Sequence, residues 1–172
     1  MIRYLKEQKL LILETEQTSY WIGLKYPAPI CLYWGARIAP EDADMFEPIG
    51  DHSSFDMELW RERLEYPVFD GRTFESVSLK ADVPLNLHTK HVDVQEQQAE
   101  IVLEDEAGRL EVCLVYRVFE ACDVIQKSAK ITAKESVRLT RLDSGACLLP
   151  HETKPWTAHY VVGAWAGEFR RR

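Results

Sequence analysis

Hydrophobic and polar positions alternate with a period of two along much of the chain, the spacing of a half-buried strand. The clearest run is Leu110-Glu111-Val112-Cys113-Leu114-Val115-Tyr116-Arg117-Val118-Phe119, which puts Leu110, Val112, Leu114, Tyr116 and Val118 on one face. Ahead of it, Ala99-Glu100-Ile101-Val102-Leu103-Glu104 runs into the turn Asp105-Glu106-Ala107-Gly108. The pattern predicts further strands over 124–132, 136–141, 146–149 and 159–165. In the first half, 10–14 and 18–24 are rich in branched and aromatic residues, and Pro27 and Pro29 punctuate before a strand over 30–34 that Gly35 ends. Strands recurring about every 10–12 residues with Gly, Asp and Glu turns between them predict a mainly β chain folded as an antiparallel sandwich.

Residues 41–65 break the pattern. Ser53 or Ser54 offers a helix cap, and Met57, Trp60 and Leu64 fall at i, i+3 and i+7. This predicts one short amphipathic helix, closed before Pro67, inside an excursion of about 41–72. A connection this long between strands carries function or binds a partner. No repeat, linker or low-complexity tract divides the rest, so residues 1–172 read as a single sandwich domain or a truncated one.

Composition narrows the classes. The 172 residues are 46% hydrophobic and 28% charged, enough apolar material for one sizeable core. The net charge of −7 argues against nucleic acid or an anionic membrane as partner. No apolar run approaches the roughly 18 residues of a membrane span. Lys6, Glu7, Lys9, Glu14 and Glu16 interrupt any signal-peptide core, which points to a soluble, cytoplasmic protein. Cys31, Cys113, Cys122 and Cys147 lack C-x-x-C spacing, and three of them sit in apolar runs, as small buried hydrophobes do. His88 and His91 stand three apart in an extended segment, where alternation sends them to opposite faces, so no metal pair is expected.

Candidate chemistry is sparse. There is no Gly-rich phosphate loop, G-x-S-x-G elbow or H-E-x-x-H pair. Glu100, Glu104, Glu111 and Glu120 alternate with apolar positions as solvated strand faces do, and Asp123 and Asp143 fit turns. Among five tryptophans, Trp21 and Trp165 lie in apolar runs and read as core, while Trp34, Trp60 and Trp156 lie near loops, open to either core or platform roles. No catalytic residue, cofactor site or metal site is expected. The candidate binding residues are Trp60 as a stacking ring, with Asp70 and Arg72 as charged partners for hydroxyls, all on the excursion and its following loop.

Several segments, in order, resemble a known domain. Leu13-Glu14-Thr15 and Thr18-Ser19-Tyr20 precede Leu32-Tyr33-Trp34-Gly35-Ala36-Arg37-Ile38, which is similar to an "LYYG-x-R-I" stretch. Glu65-Tyr66-Pro67-Val68-Phe69 is similar to "EYP-x-Y", and Gly163-Ala164-Trp165-Ala166-Gly167-Glu168 resembles "GAWARE". Together they resemble the N-terminal β-sandwich domain of glycoside hydrolase family 36, the retaining α-galactosidases. Two features depart from the family. Thr73-Phe74-Glu75 stands where the family has a D-F-R triplet, and residues 80–91 replace a "GKP-x-L-x-G-L-P" loop.

The resemblance implies part of a galactose-mutarotase-like supersandwich whose parent hydrolyses terminal α-galactosides with retention. The parent's aspartate nucleophile and acid/base aspartate belong to a TIM barrel that no segment of this chain matches, which implies a fragment or a truncated or divergent product, inactive alone. Implied partners are that barrel, further copies in a homo-oligomer, and an α-galactoside at a neighbour's site. Competing classes are a free-standing carbohydrate-binding sandwich and a purely structural interaction module.

Overall fold

The computed structural model describes residues 1–48, 50, 55, 58–72, 76–149, 157, 159, 161–162 and 170–171. Two four-stranded antiparallel sheets make the sandwich. The first is a meander of β1 (Ile2–Leu5), β2 (Leu10–Glu14), β3 (Thr18–Gly23) and β4 (Ile30–Ala36). A short β5 (Leu79–Ala81) follows the excursion. The second sheet is a meander of β6 (Leu87–Val94), β7 (Gln98–Asp105), β8 (Leu110–Phe119) and β9 (Val124–Ala133). β10 (Leu139–Leu142) pairs with β5, and β11 (Val161–Val162) pairs with β12 (Arg170–Arg171).

The core between the sheets takes Leu11, Leu13, Tyr20 and Ile22 from the first sheet and Ile101, Leu103, Val112 and Leu114 from the second. On the second sheet every other residue faces this core, and the remainder form a charged outer face. There Lys90 and Lys134 both pair with Glu104 and Glu111, and Lys130 lies 3.8 Å from Glu100. The acidic alternation is therefore a solvated ladder of ion pairs. Glu120 instead pairs with the N-terminal amine.

The first sheet is different: all five residues of β2 are buried. Its second face carries Leu10, Ile12, Trp21, Ile30 and Leu32, a separate cluster closed by Ala43, Phe46, Trp60 and Leu64 of the excursion. The molecule has three layers here: excursion, first sheet, second sheet. Trp21 is fully buried as the core residue its run predicts.

Several local expectations change. The excursion contains no α-helix among its described residues, but two 3₁₀ turns, Pro40–Phe46 and Leu59–Arg63. Neither has a side-chain cap, and Leu64 leaves the second turn to bridge Ile30 of β4, so helical winding cannot propagate. Ser53, Ser54 and Met57, on which the helix expectation rested, lie outside the described residues. The strand expected over 146–149 is absent, and Cys147 is accordingly exposed. All four cysteines are free, with Cys31 buried and Cys122 exposed. Of the strand expected over 159–165, Val161–Val162 is described; Trp165 lies outside the described residues, as does Trp156.

Residues 80–91 hold parts of β5 and β6 rather than one connection. In β6 the register shifts between Thr89 and His91, an extra residue in the ladder. His88 pairs with Glu104 and His91 with Val102, both on the outer face of β7, so the bulge brings the two histidines to one face. Strict alternation missed this.

Candidate functional site

Glu65 and Tyr66 follow the second 3₁₀ turn and enter the protein rather than solvent. The Glu65 amide donates to the Pro29 carbonyl at 2.9 Å, and both side chains are buried. A buried carboxylate needs partners, and two strands supply them. The Tyr20 hydroxyl on β3 donates to Glu65 Oε2 at 2.7 Å, and Lys127 of β9 forms an ion pair with Glu65 Oε1. Lys127 Nζ also donates to the Tyr20 hydroxyl and to the Ala146 carbonyl, each at 2.8 Å. The Tyr66 hydroxyl donates to the Asp143 carbonyl at 2.9 Å. One buried knot thus ties both sheets, the excursion and the segment after β10.

The environment favours neutral acids around this ion pair. Burial, then the Glu65 charge, pushes the Tyr20 and Tyr116 phenols far above their usual range. The same two causes raise the Cys31 thiol to about 11, so it is an unreactive thiol at neutral pH. The sequence reading passed over Glu65 and Lys127 as site residues. One signal was available: Lys127 shares the parity of Ile125, Ala129 and Ile131, which pack on the core.

The three residues singled out on the excursion take different positions. Trp60 is half-buried, stacks on Tyr26 with ring centroids 5.7 Å apart, and has the Arg61 guanidinium 5.1 Å from its ring centre. Asp70 accepts from Arg61 Nη1 at 3.1 Å and from the Arg72 amide at 2.8 Å. Trp60 and Asp70 border one cleft of about 50 Å³, with Arg61, Tyr66, Asn86 and Leu87. Arg72 is exposed and joins them through its backbone. Trp34, half-buried, borders a wider groove of about 430 Å³ with Tyr33, Phe46 and Arg63.

A second built corner lies where β6, β7 and β8 meet. Asp105, 1% exposed, accepts from Arg109 Nε at 2.6 Å and from the Asn86 amide at 3.1 Å. Burial works to raise its pKa, and the Arg109 and Asn86 donors outweigh burial, so the net shift is downward. Among the described residues, no group of three or more His, Cys, Asp or Glu side chains could hold a metal ion. No helix there is long and apolar enough to cross a membrane.

An antiparallel sandwich with a buried polar knot and a long covering excursion defines a mainly β domain. Residues 27–172 match the glycosyl hydrolase family 36 N-terminal domain, and the chain belongs to that family. A search of the curated proteins finds no match. Solved structures agree on the fold. The α-galactosidase from Lactobacillus brevis is 20% identical with a TM-score of 0.69, the match covering 84% of this chain and 24% of that one. The α-galactosidase AgaB from Geobacillus stearothermophilus is 22% identical with a TM-score of 0.65, at the same coverages. A variant of AgaA from that organism, in complex with raffinose, is 22% identical over 80% of this chain and 24% of its own, with a TM-score of 0.65. The chain spans about a quarter of the length of these enzymes.

Proposed function

We propose that the chain is a non-catalytic domain of an α-galactosidase-like glycoside hydrolase, whose parent reaction is the retaining hydrolysis of terminal α-galactosides in oligosaccharides. The observation that carries this reading is the family match over residues 27–172, a domain that in solved α-galactosidases accounts for about a quarter of the chain. Its roles are to pack on a catalytic barrel, to make oligomer contacts, and to present the edge formed by Trp60, Asp70 and Arg72 to a neighbour's sugar site. Shared bordering of one cleft by Trp60 and Asp70, with Arg72 exposed beside it, supports the last role. We propose a cytoplasmic setting, which four free thiols suit.

The test is to assay the purified chain on an aryl α-galactoside, alone and mixed with a family barrel lacking its own N-terminal domain. The chain alone is expected to give no turnover above buffer, and the mixture to gain activity. Turnover by the chain alone that is lost on mutating one of its own carboxylates overturns the reading.

A further inference from the structure

Two of the four free thiols converge on one place. Cys31 lies on β4, an outer strand of the first sheet, and is buried in the core between the sheets. Its thiol is within hydrogen-bonding reach of the Tyr20 hydroxyl. Lys127 Nζ donates to that same hydroxyl and to the Ala146 carbonyl, each at 2.8 Å. On the other flank, Leu148 and Leu149 border the groove of about 430 Å³ that Cys31 also borders. Cys147 therefore stands between neighbours that are both placed beside Cys31, and it is exposed where Cys31 is buried. Burial leads the causes that raise the Cys31 thiol, and a Cys147 thiolate is among the lesser ones, so each sulfur lies in the field of the other. The remaining thiols stand elsewhere. Cys113 is on the outer face of the second sheet, 3.5 Å from Glu100, and Cys122 lies in the turn Glu120–Cys122 between β8 and β9.

The segment that carries Cys147 has the freedom to close the remaining gap. A disulfide needs its two Cα atoms about 5.5–6 Å apart, and β4 is fixed by its ladder to β3. The Asp143 amide donates to the Ser78 carbonyl at 2.8 Å. From there to Leu149 the segment makes no further backbone-to-backbone hydrogen bond among the described residues.

We propose that Cys147 and Cys31 are a redox pair, in which a hydroperoxide oxidises exposed Cys147 and buried Cys31 then closes a disulfide that fastens the segment after β10 to β4. In the first step the Cys147 sulfur attacks one peroxide oxygen. An S–O bond forms, the O–O bond breaks, and Cys147 becomes a sulfenic acid while the other oxygen leaves as water. In the second step the Cys31 sulfur attacks the Cys147 sulfur. The S–S bond forms, the S–O bond breaks, and the hydroxyl leaves as water with the Cys31 proton. Two thiols and one peroxide thus become one disulfide and two waters. Burial sets the order of events: it keeps the Cys31 thiol protonated and away from the oxidant, so Cys31 reacts only with the sulfur brought to it. The bond closes a loop of more than half the chain, which restricts the unfolded ensemble. In a reducing compartment such a bond is transient and reports an oxidising episode.

The experiment treats the full chain with hydrogen peroxide at neutral pH, blocks the remaining thiols with N-ethylmaleimide, and maps its peptides without reduction. Wild type is expected to give a peptide pair joining Cys31 to Cys147 within one chain, which dithiothreitol separates. The bridged chain is expected to melt about 5–10 °C higher than the reduced one. Cys147→Ser, at an exposed position, is expected to lose both the link and the rise in melting temperature while leaving Cys31 unmodified. Cys31→Ser is expected to leave Cys147 as a sulfenic acid that dimedone traps. Should that buried substitution prevent folding, wild type and Cys147→Ser decide the matter alone. A Cys113→Ser/Cys122→Ser background is expected to keep the link. Cys147 left unoxidised, oxidised beyond the sulfenic acid without a link, or joined instead to Cys113, Cys122 or another chain overturns the pair. A linked chain that melts no higher than the reduced one overturns the fastening. None of these results touches the α-galactosidase assignment, which the activity mixing test reads separately.

Discussion

The Tyr20 hydroxyl donates to the Glu65 carboxylate at 2.7 Å, and Lys127 holds both groups from the opposite sheet. The bond joins the middle of the first sheet to the end of the excursion, residues 45 positions apart in sequence. A hydrophobic contact could bury the same space without direction. The polar knot instead fixes where the excursion re-enters the sandwich, because Tyr20 and Lys127 converge on Glu65 from two different sheets.

Breaking one side of this knot strands the other. Lys127→Met is expected to destabilise the chain by about 3–5 kcal/mol, because it leaves Glu65 buried without its cation. Glu65→Gln should cost a similar amount. The double variant should cost clearly less than the sum of the two, since neither charge is then left alone. Urea unfolding of the four proteins measures this, and simple additivity would contradict the knot.

The phenols of Tyr20 and Tyr116 give an alkaline signature. Their folded pKa values are raised, so their contribution to stability is complete below the unfolded value of about 10 and is lost as pH rises above it. Tyrosinate absorbance is expected to appear in two parts. The earlier part should begin at about pH 10. Tyr26 and Tyr66, which burial raises to about 12, belong to the earlier part, and Tyr20 and Tyr116 should appear only together with loss of the folded circular dichroism signal. Smooth titration of all seven tyrosines in the folded protein would refute this.

Asp105 acts at the other end of the scale. Its folded pKa is lowered, so its stabilisation is complete above the unfolded value of about 3.9 and is lost as pH falls through the folded one. Asp105→Asn should lower the melting temperature at neutral pH and flatten its dependence on pH below about 4. An acid limb as steep as that of wild type would show that other carboxylates dominate.

Trp60 sits between core and surface. Trp60→Ala removes its stacking on Tyr26 and uncovers part of the cluster around Ile12 and Leu32. The expected loss is about 2 kcal/mol, short of the 3–5 kcal/mol of a fully buried tryptophan. Thermal unfolding of this variant, beside Arg72→Ala as an exposed control that should change stability by less than about 0.5 kcal/mol, checks the assignment.

The second sheet was legible because water reads one of its faces: Glu100, Glu104 and Glu111 mark the outside at every second position. The first sheet shows only a hydrophobic block at Leu10–Leu13, because the excursion covers the face that solvent would otherwise mark. Period alone could not separate those faces. β5 was missed because three residues are too few to establish a period, and β1 was passed over. The bulge at Lys90 is set by partner strands that sequence order does not reveal. At the candidate site, Trp60 and Asp70 were singled out by residue type and their placement on the excursion. Glu65 was hidden because a glutamate after an arginine-rich turn looks solvated until Tyr20 and Lys127 are brought to it.

The layered burial of β2 and β3 also orders the molecule in time. Amide hydrogens of Leu11, Ile12, Trp21 and Ile22 have protein above and below them, so no partial opening exposes them to solvent. Their exchange with deuterium must wait for complete unfolding, while β9 and β10, half-covered at a rim, can breathe many times in that interval.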